Sequence, residues 1–351
     1  MDRPLLLAAT IAALLLAGLP ARAEDLVLDR FRGYLDALRV QAGIPGLSAS
    51  IIGNNDIVWE GAFGRQDLER QFPTRADTPF QLDGMTQIFT ASLVLRCVEE
   101  GRLSLDDRLE QFGPVSEETA GATLRQILSH TSSDALFRYR PERIASLAPV
   151  VTSCAAEPFR QKVAVGLEWL AMIDSVPGVD AAQLAPGASG IFSEATIGRY
   201  RAVVSRLASS YAVDSRGRAS ASIHPVTTFS PAGGLISTVR DIGQFVLALR
   251  KGLIVRPETL ALAWRPAAAP DGQRLPHGLG WFVQSYNGEV VVWQYGVTEG
   301  ASSSLLITVP GRGLSLVLLA NSDGLSRPFP LAAGDVAVSP FANLFLGLFV
   351  R

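Results

Sequence analysis

Lysine is close to missing from this chain: of its 31 basic residues only Lys162 and Lys251 are lysines. Basic residues do not outnumber acidic ones (31 against 33, formal net charge −2), so no positive field exists to hold nucleic acid irrespective of sequence. Two cysteines, Cys97 and Cys154, are too few for a disulfide-rich scaffold or a Cys-ligated zinc site. A disulfide between them and an inert core thiol at Cys97, which falls in an apolar helix, fit the sequence equally well. The three histidines, His130, His224 and His277, are too dispersed for a local metal motif, and neither a metal nor another cofactor is implied. No run beyond the N-terminus approaches the roughly 20 apolar residues of a membrane span; Phe341–Val350 is too short and reads as a helix packed on the core. Repeats and low-complexity tracts are absent. With 48% apolar and 18% charged residues, the chain can bury a substantial core.

The N-terminus carries a recognisable pattern. Arg3 precedes an apolar run from Leu5 to Leu19, and Pro20 then leads into Ala21-Arg22-Ala23. This is the layout of a secretory signal with small residues at its cleavage site, which predicts processing after Ala23 and a periplasmic or secreted protein with no membrane span after cleavage. Residues 1–23 are thus assigned to the signal and 24–351 to the folded domain. Within it, an α/β part over about 24–85 and 225–351 embraces a helical insertion over about 86–224.

Periodicity supports that division. Leu28, Phe31, Leu35 and Leu38 recur at helical spacing and the pattern ends near Gly43 and Pro45. Two strand-like runs, Leu47–Ile52 and Ile57–Phe63, flank a Gly53-Asn54-Asn55-Asp56 turn, a hairpin signature. Thr86–Glu100 is rich in apolar residues and reads as a buried helix; Thr123–His130, Ile197–Leu207 and Asp241–Leu249 are further helices. Strands return at Gly280–Gln284, Glu289–Trp293, Ser303–Thr308 and Leu314–Leu319, with turns at Asn287-Gly288 and Pro310–Gly313. Strands at both ends and helices between them describe an α+β fold with an antiparallel sheet flanked by helices.

Several segments, in order, carry a resemblance: Gly61–Gly64, Thr78–Thr90, Glu99–Asp107, Leu124–Ser132, Ala185-Pro186-Gly187, Ser230–Thr238 with Asp241, Gly278–Phe282 and Ala320–Gly324. Together they resemble the serine β-lactamase and penicillin-binding-protein family, in particular its class C-related esterase and D-aminopeptidase branch. The resemblance covers about residues 40–325 and implies the β-lactamase/transpeptidase-like fold. It also implies a definite chemistry. Family members acylate the serine of a Ser-x-x-Lys motif at a helix N-terminus, where residues i and i+3 share a face and the lysine amine reaches the hydroxyl. A Tyr-x-Asn motif supplies or supports the base, and a Lys- or His-led triplet ending in Gly lies on the facing strand. Two backbone N–H groups form the oxyanion hole.

Read onto this chain, those motifs are lost. Gly84 stands at the nucleophile position and Gln87 at that of the lysine; Phe192-Ser193-Glu194 replaces Tyr-x-Asn, and Gln294-Tyr295-Gly296 replaces the third motif. A shifted register does not restore them. Phe159 and Ala248 stand three residues before the two lysines, neither lysine opens a Lys-Thr-Gly or Lys-Ser-Gly, and none of the six tyrosines is followed by x-Asn. No Gly-x-Ser-x-Gly elbow occurs either. Removing the nucleophile of an acyl-transfer unit costs about 10⁶ in rate, roughly 8 kcal/mol of transition-state stabilisation. The sequence therefore points to a pseudoenzyme with no catalytic residue. Ordinary roles also suit the substitutes: Gly84 as a loop residue before a helix, Gln87 as a helix former, Glu194 as a first-turn acid behind a Ser193 N-cap.

Backbone donors outlast side chains. The amides of Gly84 and Val297 are placed to converge, so a non-covalent cleft lined by Gln87, Phe192, Glu194, Gln294 and Tyr295 is expected to take a carbonyl or carboxylate of a peptide, such as a cell-wall stem peptide, or to dock a protein partner. A cleft without any ligand is the simpler alternative. Two others remain: a hydrolase with a relocated nucleophile among Ser132, Ser133 and Ser193 with His130 as base, and a carboxylate pair of Asp83 and Glu194 acting as in glycosidases. For His130 the plain reading is a helix C-terminal residue facing the last carbonyls. Nothing in the sequence sets the oligomeric state.

Overall fold

A computed structural model describes residues 19–53, 55–131, 136–184 and 192–350. Most of the expected signal sequence, Asn54, Ser132, Ser133 and Ala185-Pro186-Gly187 lie outside these residues. In chain order, helix α1 (Leu19–Gln41) leads into strands β1 (Gly46–Gly53), β2 (Asp56–Asp67), β3 (Phe72–Pro73) and β4 (Phe80–Gln81). A single 3₁₀ turn, Asp83–Thr86, opens directly into α2 (Gln87–Glu99), followed by α3 (Leu124–Leu128), α4 (Ala148–Ala155), α5 (Phe159–Trp169), β5 (Val176–Pro177) and α6 (Glu194–Val204). Then come β6 (Tyr211–Val213), β7 (Ala219–Ala221), β8 (Leu235–Ser237), α7 (Val239–Arg250), α8 (Pro257–Ala263), β9 (Phe282–Tyr286), β10 (Glu289–Thr298), β11 (Ser302–Val309), β12 (Leu314–Ala320) and α9 (Pro340–Phe349).

The main sheet is antiparallel, in the order β3-β2-β1-β12-β11-β10-β9. Its centre joins the two ends of the chain: β1 pairs with β12 in the register Leu47↔Ala320 to Ile52↔Ser315. Both β1 and β11 are buried along their whole length, because the sheet is covered on each face. Alternation assigns the faces. Leu305, Ile307 and Leu316 join Phe31, Leu35, Phe341 and Phe345 under α1 and α9, whereas Leu306, Val317 and Leu319 join Ile88, Val94 and Phe245 under α2 and α7.

Where elements end differently from the expected spans, the cause is local. The strand expected from Gly280 starts at Phe282, since Gly280 takes φ +97° and packs where a Cβ would lie 2.3 Å from the Ala91 methyl. The strand expected to end at Trp293 runs on to Thr298, because β11 pairs with it through Thr298↔Ser302, so the Gln294-Tyr295-Gly296 triplet lies within it. The helix expected over Thr123–His130 begins with a Thr123–Gln126 capping box and ends at Leu128, and His130 adopts φ 53°. The cysteine question is also answered: Cys97 on α2 and Cys154 on α4 form a disulfide with Cα atoms 6.2 Å apart.

A second small sheet, β4-β8-β5, holds the turn before α2 in place. Leu82 N–H donates to the Leu235 carbonyl at 2.8 Å, and Leu235 N–H donates to Thr86 Oγ1 at 3.4 Å. Among the described residues no helix is long and apolar enough to cross a membrane.

Candidate functional site: a cleft closed by neutral hydrogen bonds

The turn Asp83–Thr86 presses against β10. A Cβ on Gly296 would sit 2.1 Å from the Leu82 carbonyl oxygen and 2.8 Å from the Gly84 nitrogen, so only glycine lets the strand approach. This contact brings the Gly84 amide beside the Gly296-Val297 stretch. Gly84 has little space of its own. A Cβ there would meet the Tyr295 carbonyl oxygen at 2.9 Å, Gln87 Nε2 at 3.3 Å and the Tyr139 hydroxyl at 3.4 Å.

Gln87, in the first turn of α2, and Gln294, on β10, are both buried, at 1% and 0% exposure. Tyr139 joins them. Its hydroxyl accepts from Gln87 Nε2 at 3.0 Å and donates to Gln294 Oε1 at 3.1 Å. Gln294 Nε2 donates onward to the Gly280 carbonyl at 3.2 Å, and its Oε1 also accepts from the Tyr295 N–H at 2.9 Å. At the other end, Gln87 Oε1 is 3.0 Å from His130 Nε2. The Arg140 N–H donates to His130 Nδ1 at 3.2 Å, which makes Nδ1 the acceptor and places the imidazole proton on Nε2, directed at Gln87. Every bond therefore runs in one direction: Arg140 N–H to His130, His130 to Gln87, Gln87 to Tyr139, Tyr139 to Gln294, Gln294 to Gly280.

No member of this chain carries charge. Burial, reinforced by the neighbouring His277 and Arg143, pushes the His130 pKa well below its ordinary value. Burial pushes the Tyr139 hydroxyl well above 10. His277, edge-on to His130 with ring centroids 4.7 Å apart, is likewise held neutral by burial, its pKa brought down to about 3. Its Nδ1 donates to the Gly278 carbonyl at 2.8 Å, and Nε2 has no hydrogen-bond partner among the described residues. Around them the rings of Tyr139, Tyr295, Phe282 and Trp293 form an aromatic cluster, with Tyr139 and Tyr295 centroids 5.3 Å apart.

Asp83, on the far side of Gly84, belongs to a separate polar cluster. Thr298 Oγ1 and Ser302 Oγ donate to its carboxylate at 2.6 and 2.7 Å, and His224 Nε2 lies 2.9 Å from Oδ1. His224 Nδ1 accepts from the Val226 N–H at 3.2 Å, so both ring nitrogens are occupied and neither faces a serine hydroxyl.

The structure thus brings together Gly84, Gln87, Gln294, Tyr295 and Val297, and sets two expected residues elsewhere. Phe192 packs edge-on against Tyr200, centroids 5.5 Å apart, in a satellite core with Ile197 and Ile236. Glu194 is exposed in the first turn of α6, where Ser193 caps the helix by accepting from the Thr196 N–H at 3.1 Å. Asp83 is buried in its own cluster, its carboxylate bonded by Thr298, Ser302 and His224. The His130 ring bonds Gln87 and Arg140 rather than the last carbonyls of α3. Tyr139 has no counterpart in the sequence reading, because Tyr139-Arg140-Pro141 matches no motif and only the fold carries it to Gln87 and Gln294.

Comparison with known proteins agrees with this architecture. The family model described as Beta-lactamase matches residues 29–163 and 192–338. Protein flp of Staphylococcus aureus (strain NCTC 8325 / PS 47) is 28% identical over 94 residues, 25% of this chain and 19% of that protein. Serine beta-lactamase-like protein LACTB, mitochondrial, of Bos taurus is 23% identical over 111 residues, 30% of this chain and 20% of that protein. The matched stretches thus span about a fifth of these relatives' own length. Among solved structures, the octameric penicillin-binding protein homologue from Pyrococcus abyssi superposes with TM-score 0.73 at 19% identity, covering 92% of this chain and 77% of that one. D-amino acid amidase from Ochrobactrum anthropi SV3, complexed with L-phenylalanine, gives TM-score 0.70 at 17% identity over 92% and 98% of the respective chains.

Proposed function

This chain belongs to the beta-lactamase family, and on that premise we propose that it is a non-acylating member which binds a peptide or protein partner at the former catalytic cleft. One observation carries the reading: where family chemistry needs an attacking oxygen beside a basic nitrogen, His130, Gln87, Tyr139 and Gln294 form one neutral, fully paired chain. An amide such as Gln87 accepts no proton near neutral pH. Among the described residues the hydroxyl nearest the Gly84 Cβ position belongs to Tyr139, which is committed to Gln294 and held protonated by burial. Activation of a nucleophile requires the opposite, a lowered pKa or an adjacent base.

The binding function rests on backbone. The Gly84 amide and the Gly296-Val297 edge of β10 adjoin at the start of α2, where a helix N-terminus favours a carbonyl or carboxylate. A peptide C-terminus, such as that of a cell-wall stem peptide, has this chemistry. We place the protein outside the cytoplasm, exported and cleaved after Ala23. The Arg3/Leu5–Leu19/Ala21–Ala23 pattern supports this, and so does the Cys97–Cys154 disulfide, a bond typical of oxidising compartments.

The test combines labelling and binding. The mature protein is incubated with a fluorescent penicillin and a chromogenic ester and examined by intact mass, and separately titrated with stem peptides by thermal shift. No adduct and a saturable shift are expected. An acyl adduct on the unaltered protein would overturn the non-acylating assignment, and an unmoved melting temperature would remove the peptide.

A further inference from the structure

A second cavity, which shares no lining residue with the cleft, lies among the helices. It encloses about 300 Å³ between α2, α4, α5 and the segment following α7, and the Cys97–Cys154 disulfide forms part of its wall. Its lining is mostly apolar, and three of its apolar side chains stand in water at the mouth: Trp169 is 63% exposed, Leu253 50% and Val165 47%. Scattered apolar residues on a surface need no explanation, but three around one apolar cavity form a contiguous site of ligand-binding size.

Charge at the rim selects the ligand. Arg96, Arg102, Glu100 and Lys162 all border the cavity. The two arginines are committed: Arg96 Nε bonds Glu100 at 2.8 Å, and Arg102 bonds Glu100 and the Cys154 carbonyl. Lys162 is one of two lysines in the chain; its backbone N–H donates to the Pro158 carbonyl, but its side-chain ammonium has no hydrogen-bond or ion-pair partner among the described residues. One carboxylate against three cations leaves the rim positive, with one ammonium uncommitted.

We propose that this cavity binds a single-chain amphiphile with an anionic carboxylate head, a medium-chain fatty acid in chemical class, its tail along the disulfide wall and its carboxylate on Lys162. At about 30 Å³ per water-sized group the cavity takes roughly ten non-hydrogen atoms, the size of octanoate. The site is independent of the cleft, and its ligand differs from the one proposed there.

Isothermal titration of the disulfide-bonded protein with octanoate, octanol and octylammonium below their micellar concentrations tests the assignment. Saturable octanoate binding is expected, with octanol and octylammonium at least about tenfold weaker, the usual worth of one charge-assisted hydrogen bond. Lys162→Met should weaken octanoate to the level of octanol. Leu93→Trp, which fills the cavity from a partly buried position, should abolish binding while far-UV dichroism and melting stay close to the parent. Equal affinity for all three head groups, octanoate binding insensitive to both substitutions, or sedimentation with anionic vesicles without saturable octanoate binding would each overturn the proposal.

Discussion

The Tyr139 hydroxyl lies 3.4 Å from the point where Gly84 would carry a Cβ, an ordinary contact, but the Tyr295 carbonyl oxygen lies 2.9 Å from it, closer than a side-chain carbon comes. Restoring the motif by substitution therefore works against packing. With the Tyr295 carbonyl oxygen 2.9 Å from the same point, Gly84→Ala is expected to destabilise the fold by about 1–3 kcal/mol through overpacking. Gly84→Ser combined with Gln87→Lys is expected to remain unlabelled by fluorescent penicillin, because the new ammonium would face the Tyr139 hydroxyl and the His130 N–H within a buried neutral site. Intact-mass detection of an adduct on that double variant would show that the cleft had kept more of its former geometry than the closed chain allows.

Tyr139→Phe removes a single oxygen from the chain. Gln294 Oε1 keeps the Tyr295 N–H as donor, but Gln87 Nε2 loses its acceptor in a buried site. A cost of about 1–3 kcal/mol is expected in urea unfolding, as for other unsatisfied buried donors. In a Gln87→Met background the same substitution should cost less, with a coupling of at least about 0.5 kcal/mol between the two positions. Additive effects would mean that the hydrogen bond contributes nothing to stability.

The disulfide is expected to matter to stability as well. Cys97 and Cys154 are 57 residues apart, and closing a loop of that length restricts the unfolded chain by about 4 kcal/mol in the entropy model, with about 2–4 kcal/mol typically measured. Cys97→Ser with Cys154→Ser should lower unfolding free energy by that range. Because both cysteines line the apolar cavity, octanoate affinity should fall in the same variant.

What the sequence revealed and what it hid divide along a physical line. The β9–β10 hairpin was legible because Asn287-Gly288 supplies two consecutive positive-φ residues, 49° and 81°, the geometry of a tight hairpin turn. Gly84, Gln87 and the Gln294 triplet were legible because a resemblance fixes their spacing. Tyr139 was not. It reaches Gln87 and Gln294 across 52 and 155 residues, and nothing in its neighbours distinguishes it from a surface tyrosine. Phe192 illustrates the converse: motif spacing assigns it to the cleft, while its apolar ring finds a better place against Tyr200. The cysteine pairing, 57 residues apart, was undetermined for the same reason as Tyr139.

Acid should loosen this protein through its buried imidazoles. An unfolded histidine titrates near 6.5, whereas His277 titrates at about 3 in the fold and His130 is also well below its ordinary value, both because burial disfavours the cation. Above roughly pH 6.5 both are neutral in either state and their full contribution is present. As pH falls below that value the unfolded chain takes up protons the folded one refuses. Stability is then lost at about 1.4 kcal/mol per pH unit for each group, continuing for His277 to about pH 3. Asp241 runs the other way: burial raises its carboxyl to about 6, so its contribution falls as pH rises from roughly 3.9 to that value and offsets part of the histidine slope. His277→Asn keeps a donor for the Gly278 carbonyl and removes one titrating ring. Between pH 7 and pH 5, urea unfolding of the variant should lose about 2 kcal/mol less than the parent. Parallel losses in the two proteins would mean that His277 is protonated in the fold and that the aromatic wall behind Tyr139 admits charge.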